Sequence, residues 1–204
     1  MTSCYLNSFL IRMTHEEHLG NTDNRHPAEE AARQWFVMRD LKRRNAKLPA
    51  YKMFRELEIE CFTPMVRRLV MVRGKRVNME VPFMQDLLFV KETHERLDPI
   101  VENTPTLQYR FIFGARHTPM VVRTQDMERF IHAVESTESP QYYQPNEVTA
   151  DMLHRKIRII GGLLDGYEGY LLTVRGSKVK RLLVELPHLL MASVEVEPEY
   201  IQLL

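Results

Sequence analysis

From Gln34 onward, short apolar runs alternate with polar turns along this 204-residue chain, and their spacing predicts most of its elements. Trp35-Phe36-Val37-Met38 is an unbroken apolar run of strand length, the pattern of a buried strand. After the basic turn Lys42-Arg43-Arg44-Asn45, residues Ala46 to Ile59 carry apolar side chains at Leu48, Tyr51, Met53, Phe54 and Leu57. That spacing predicts an amphipathic helix with Pro49 in its first turn. Cys61 to Val72 and Lys75 to Val90 are rich in β-branched and aromatic residues and are split by Arg73-Gly74. They read as a hairpin continuing into a further strand, with the glycine supplying the left-handed backbone. Thr93 to Glu102 is predicted helical, stopping ahead of Pro105, and Leu107 to Phe113 is a strand ending at Gly114. In Thr124 to Glu135 the residues Met127, Phe130, Ile131 and Val134 fall on one helical face, with Thr124 and Asp126 as candidate caps. The order fits an antiparallel sheet with packed helices, an α+β domain over residues 33–136.

Residues 137–152 hold Pro140 and Pro145 and show neither period, so a linker is expected there. Beyond it, strand signals recur at Lys156 to Ile160, Tyr170 to Val174, Val179 to Leu186, Ser193 to Val196 and Tyr200 to Leu203. Five short strands at this spacing predict a small β-barrel over 153–204, closed on itself. Residues 1–32 lack periodicity and are expected to form a mobile tail with a short helix near Glu29.

Charge changes the picture only when the chain is divided. Net charge is +1, yet residues 33–76 carry thirteen Lys or Arg against four acids, residues 77–154 six against twelve, and residues 155–181 seven against two. Basic surface of this kind attracts phosphate-bearing partners. No apolar run reaches the roughly 20 residues of a membrane span, and Tyr5 to Ile11 has neither the length nor the basic flank of a signal peptide. Cys4 and Cys61 stand alone, without a second cysteine or histidine at ligand spacing, which fits a reducing cytoplasm and no structural metal.

The usual catalytic patterns are missing. The chain has no G-x-S-x-G elbow and no H-E-x-x-H, and Gly161-Gly162 lacks the Lys-Ser/Thr of a phosphate loop. Glu56, Glu58 and Glu60 point different ways at a helix end and read as a solvated face. His15 and His18 in the tail read as adventitious ligands at most. No catalytic residue, metal or cofactor is expected, and binding is the expected business of the chain.

The segment Ile157 to Gly169 has a hydrophobic strand before its glycines and then Gly162, Gly166 and Gly169 in a G-x-x-x-G-x-x-G array. It resembles the KOW motif found at the C-terminus of NusG-type transcription factors and in some ribosomal proteins. Trp35-Phe36-Val37 resembles the opening strand of the NusG N-terminal domain. Cys61-Phe62-Thr63-Pro64-Met65-Val66 resembles the C-x-x-P-M strand of its specialised antiterminator branch, the RfaH and UpxY types. Val72 to Arg76 resembles that branch's hairpin, Leu88-Phe89-Val90 the end of its next strand, and Thr118 to Val121 the approach to its last helix. The order of parts is kept from about residue 33 to residue 204. One departure stands out, because Met84-Gln85-Asp86-Leu87 replaces the family's aromatic, Pro, small residue and Tyr.

The resemblance implies a monomeric transcription elongation or antitermination factor that binds the clamp region of RNA polymerase and suppresses pausing or termination. It implies polymerase binding through Phe83, Met84 and Leu87. Lys42, Arg43, Arg44, Lys47, Arg67, Arg68, Arg73, Lys75 and Arg76 are the candidates to touch nucleic acid, non-template DNA among them. The KOW domain would recruit a ribosomal small-subunit protein or Rho through Leu163, Leu164, Tyr167, Leu189, Leu190 and Met191, three of which form an apolar run expected in a loop. The competing reading is an RNA-binding KOW module that grips ribosomal RNA through Lys178, Lys180 and Arg181.

Overall fold

The computed structural model describes residues 33–43, 46–172 and 179–204. The expected tail and its helix therefore lie outside the described residues, as does the end of the strand expected at Tyr170 to Val174.

β1 (Gln34–Asp40) is the hub of the first sheet, because it pairs antiparallel with β5 (Leu88–Glu92) along one edge and with β6 (Leu107–Tyr109) and β7 (Val121–Val122) along the other. β2 (Glu60–Phe62) extends the sheet beyond β5. Alternation along β1 sends Trp35 and Val37 to one face and Phe36 and Met38 to the other, and both faces are covered. That explains the unbroken apolar run. On the second face, α1 (Ala50–Glu56) and α2 (His94–Glu102) bury Phe54 and Leu97 against Phe36, Met38, Leu88 and Val90. On the first face lies α3 (Thr124–Glu135), with Met127, Phe130, Ala133 and Val134 turned inward.

Local chemistry sets the ends of these elements. The helix expected from Ala46 starts only at Ala50, because Pro49 holds an extended ψ of 157° and acts as its cap residue. The cap bond comes from further back, where the buried Asp40 carboxylate accepts from the backbone N–H of Ala50 at 2.7 Å and of Lys42 at 3.0 Å. Neither Thr124 nor Asp126 caps α3. Arg123 holds the cap position, and its guanidinium pairs with Asp126 at 2.7 Å. The strand expected to run to Phe113 stops at Tyr109, and the chain leaves the sheet as a loop closed by a Phe111–Pro119 bridge.

β3 (Met65–Val72) and β4 (Lys75–Pro82) form a separate two-stranded ribbon. Its tip is Arg73-Gly74, with φ of 48° and 77°, the backbone of a tight I′ hairpin turn.

The remaining strands build a six-stranded antiparallel sheet in the order β13-β9-β10-β11-β12-β8. Its members are β8 (Gln141–Tyr143), β9 (Leu153–Ile159), β10 (Glu168–Leu172), β11 (Arg181–Leu186), β12 (Leu190–Glu195) and β13 (Ile201–Leu203). The expected five-stranded barrel is here a sheet of six whose path ends at β13 and β8. The sixth strand comes from the segment expected to be a plain linker, since Tyr142 is buried and Gln141–Tyr143 pair with Met191–Ser193. Gly169 in β10 is required on packing grounds, as an added Cβ would meet the Leu183 carbonyl oxygen at 2.3 Å. The second sheet packs on α3, and Ile157, Leu182, Val184 and Val194 share one apolar cluster with Trp35, Phe89 and Phe130.

Candidate functional site

The turn between β4 and β5 carries the expected docking residues. Its entrance is fixed by the Phe83 N–H donating to the Pro64 carbonyl at 2.8 Å, and its exit by the Leu87 N–H reaching the Met84 carbonyl at 3.3 Å. Leu87 is 1% exposed and belongs to the core, so it supports the turn from beneath and reaches no partner as folded. Phe83 and Met84 are half-buried on the same apolar cluster. Tyr142 lies over Phe83, their ring centroids 5.7 Å apart. Burial pushes the Tyr142 phenol above its ordinary range, against the opposing pull of a backbone hydrogen bond from Met65. Phe83 and Met84 thus lie together at this turn, and Tyr142 of strand β8 packs on Phe83. Tyr142 was hidden in the sequence because three strand residues between two prolines give too short a pattern to read.

The polar half of this turn gathers cations. Asp86 accepts from Arg110 at 3.3 Å and faces the Arg39 guanidinium at 3.6 Å, while the Gln85 amide donates to the Lys42 carbonyl. Lys42 itself reaches the Leu48 carbonyl at 2.8 Å, so its ammonium also ties down the loop before α1. Arg43 and Lys47 are exposed, and Arg44 lies outside the described residues.

In the ribbon, pairing places Val66 opposite Val81, Arg68 opposite Met79 and Val70 opposite Val77 on one face. The other face pairs Arg67 with Glu80, Leu69 with Asn78 and Met71 with Arg76. Arg67 and Glu80 form an exposed ion pair at 3.8 Å, and Arg73, Lys75 and Arg76 crowd the exposed tip. Leu69 and Met71 are 70% and 61% exposed on this face.

On the second sheet the expected partner surface divides. Leu163 is exposed, whereas Leu164 is buried. Tyr167 is held by α3: its hydroxyl donates to the Arg129 carbonyl at 3.0 Å, lies 3.0 Å from His132 Nδ1, and its ring sits 4.5 Å beneath the Arg129 guanidinium. Burial raises its phenol pKa, partly offset by Arg129. The loop expected at Leu189-Leu190-Met191 is corrected by the structure. Only Leu189 sits in the turn, while Leu190 and Met191 open β12 and Leu190 is fully buried. The apolar run is there for packing. Arg181 is likewise structural, being buried and donating to the Ser139 carbonyl at 3.2 Å, the Ser193 carbonyl at 3.4 Å and Glu195 at 2.6 Å. It is not available to grip RNA as folded; Lys180 is exposed, and Lys178 lies outside the described residues.

Residues 33–131, from the start of β1 into α3, match the family described as transcription termination factor nusG. This stretch is similar to a NusG family domain. Factors of that family act in transcription, are not enzymes, and bind RNA polymerase. A solved structure titled "Domain interaction in Thermotoga maritima NusG" is similar at 12% sequence identity and a TM-score of 0.43, over 85% of this chain and 98% of that one. No curated protein shows a significant match.

Within the matched stretch lie the half-buried apolar turn, the basic ribbon and the cations around Asp86. Its lone described thiol, Cys61, is pushed up by burial and donates to the Tyr51 carbonyl at 3.5 Å, the environment of a packing residue and not of a nucleophile. No helix among the described residues is long and apolar enough to cross a membrane.

Proposed function

We infer that this chain is a specialised antitermination factor whose NusG domain docks on the clamp of RNA polymerase through the turn at Phe83 and Met84. The observation that carries this reading is the half-buried apolar pair Phe83 and Met84 at the root of the basic ribbon, with Tyr142 of the three-residue strand β8 lying over Phe83. A side chain such as Met84 adapts to a partner's pocket, and Phe83 offers the aromatic anchor that the turn otherwise lacks. A factor bound across the nucleic-acid channel favours the closed clamp only by its differential affinity for that state. About 1.4 kcal/mol of preference changes the closed-to-open ratio tenfold, and pausing or termination that needs opening falls in proportion.

In this reading Tyr142 must leave Phe83 before the clamp can be engaged. The fraction of molecules with β8 released then scales the apparent affinity. Residues 137–152 are the hinge between a NusG domain at 33–136 and a KOW-type module at 153–204. Arg43, Lys47, Arg68, Arg73, Lys75 and Arg76 would follow the phosphates of upstream or non-template DNA. The KOW-type module would take a ribosomal small-subunit protein or Rho as its second partner, with Leu163 as its exposed apolar contact. The test is transcription in vitro across a terminator. Added protein should raise read-through in proportion to its occupancy of polymerase, and unchanged read-through at saturating occupancy would refute antitermination.

A further inference from the structure

Phe113 is the most exposed apolar side chain among the described residues, with its whole surface open to solvent. It stands at the tip of the loop between β6 and β7, and that loop is built rather than slack. At its base the Arg110 N–H donates to the Val37 carbonyl at 2.8 Å and the Met120 N–H to the Arg110 carbonyl at 2.7 Å. Higher up, the Ile112 N–H donates to the Thr118 carbonyl at 3.0 Å and the Ala115 N–H to the Ile112 carbonyl at 3.2 Å. Gly114 and His117 adopt φ of 79° and 50°, and the Phe111 and His117 rings lie 5.7 Å apart. A loop braced in this way holds a phenyl ring out in water, where it forgoes the stabilisation of burial.

The charge around the ring points to its occupant. Residues 103–125 contain Arg110, Arg116, Arg123 and His117 and no acidic residue, although they lie inside the acidic third of the chain. Arg116 and His117, three and four residues after Phe113 in the same loop, are exposed. Arg110 joins the loop to the turn at Asp86, where Arg39 also sits and where Gln85 contacts Lys42. An exposed aromatic tip on a loop that carries an exposed arginine and no acidic residue suits an unpaired base that stacks on the ring while its phosphates are neutralised. A protein pocket for Phe113 would need no such charge.

We propose that the Phe111–His117 loop is a binding site for single-stranded nucleic acid, with one base stacked on Phe113 and the neighbouring phosphates held by Arg116 and His117. The site goes beyond the proposed function, because it lies outside the ribbon and needs no polymerase to form.

The experiment uses the full chain, a fluorescent mixed-sequence oligonucleotide of about twelve nucleotides as DNA and as RNA, and the matching DNA duplex, at low salt. Phe113→Ala should weaken binding of the single strand about tenfold, a loss typical of one stacked base. Phe113→Trp should keep the affinity, and its emission should be quenched on binding, since the native Trp35 is buried. The DNA and RNA arms tell which strand is preferred. The proposal is overturned if Phe113→Ala binds the strand as the parent does, or if the duplex binds as tightly as the single strand. It is also overturned if the substitution weakens polymerase binding while strand binding is untouched, which would make the ring a protein contact. Polymerase affinity measured on the same variants is independent of strand binding, so failure of the docking reading is seen separately.

Discussion

Tyr142 is the residue on which most of the arrangement turns. Its backbone pairs with Ala192 in the second sheet while its ring packs on Phe83 beside the first. Burial raises the pKa values of Tyr142 and Tyr167, and of Tyr109 with the help of its 2.7 Å hydrogen bond to Asp98. A raised folded-state pKa means that the fold prefers the neutral phenol. The stability it contributes is complete below the unfolded value of about 10 and is lost as pH climbs from there toward the folded value. Thermal unfolding followed from pH 8 upward should therefore show a Tm steady to about pH 10 and falling beyond it. In Tyr142→Phe, which packs but cannot ionise, that fall should be shallower; an identical fall would show that Tyr142 is not held neutral by the fold.

At the scale of elements, the ribbon and the sheets differ in what holds them. β1 lies between two covered faces, and its apolar run from Trp35 to Met38 made it legible in sequence. The ribbon was legible too, because Arg73-Gly74 names its turn and β-branched residues mark its strands. The strand β8 was not, because three residues carry too little pattern and the burial of Tyr142 is decided by Phe83, nearly sixty positions away. The same limit explains the run at Leu189 to Met191: composition flags three apolar residues in a row, but only pairing with β11 tells strand from loop. The late start of α1 and the cap from Asp40 are again long-range facts.

The ribbon's tip gives a prediction of its own. Replacing Arg73, Lys75 and Arg76 together with Ala should lower affinity for upstream DNA in a transcription complex. The salt dependence of binding should flatten by about 0.7–0.9 in log–log slope for each phosphate that is no longer neutralised. Stability should change by less than about 0.5 kcal/mol per substitution, since the tip is exposed and unpacked. An unchanged slope would leave the tip as solvated surface.

For the whole molecule, the structure joins what the sequence separates. The regions 33–136 and 153–204 share one apolar cluster through α3, and Tyr167 is held by Arg129 and His132 of that helix. The proposed docking turn is partly covered by Tyr142 in this arrangement, and on the proposed reading binding polymerase and releasing that cover are linked equilibria. Linkage of this kind has a sign that can be measured. Equilibrium binding of the full chain to purified RNA polymerase, compared among the parent, Tyr142→Ala and Met84→Glu, tests it most directly. Tyr142→Ala should bind more tightly because the cover is gone, and Met84→Glu should bind at least tenfold more weakly while keeping the parent's circular dichroism spectrum. If the parent does not bind, or if a correctly folded Met84→Glu binds as the parent does, the turn at Phe83 and Met84 is not the docking site.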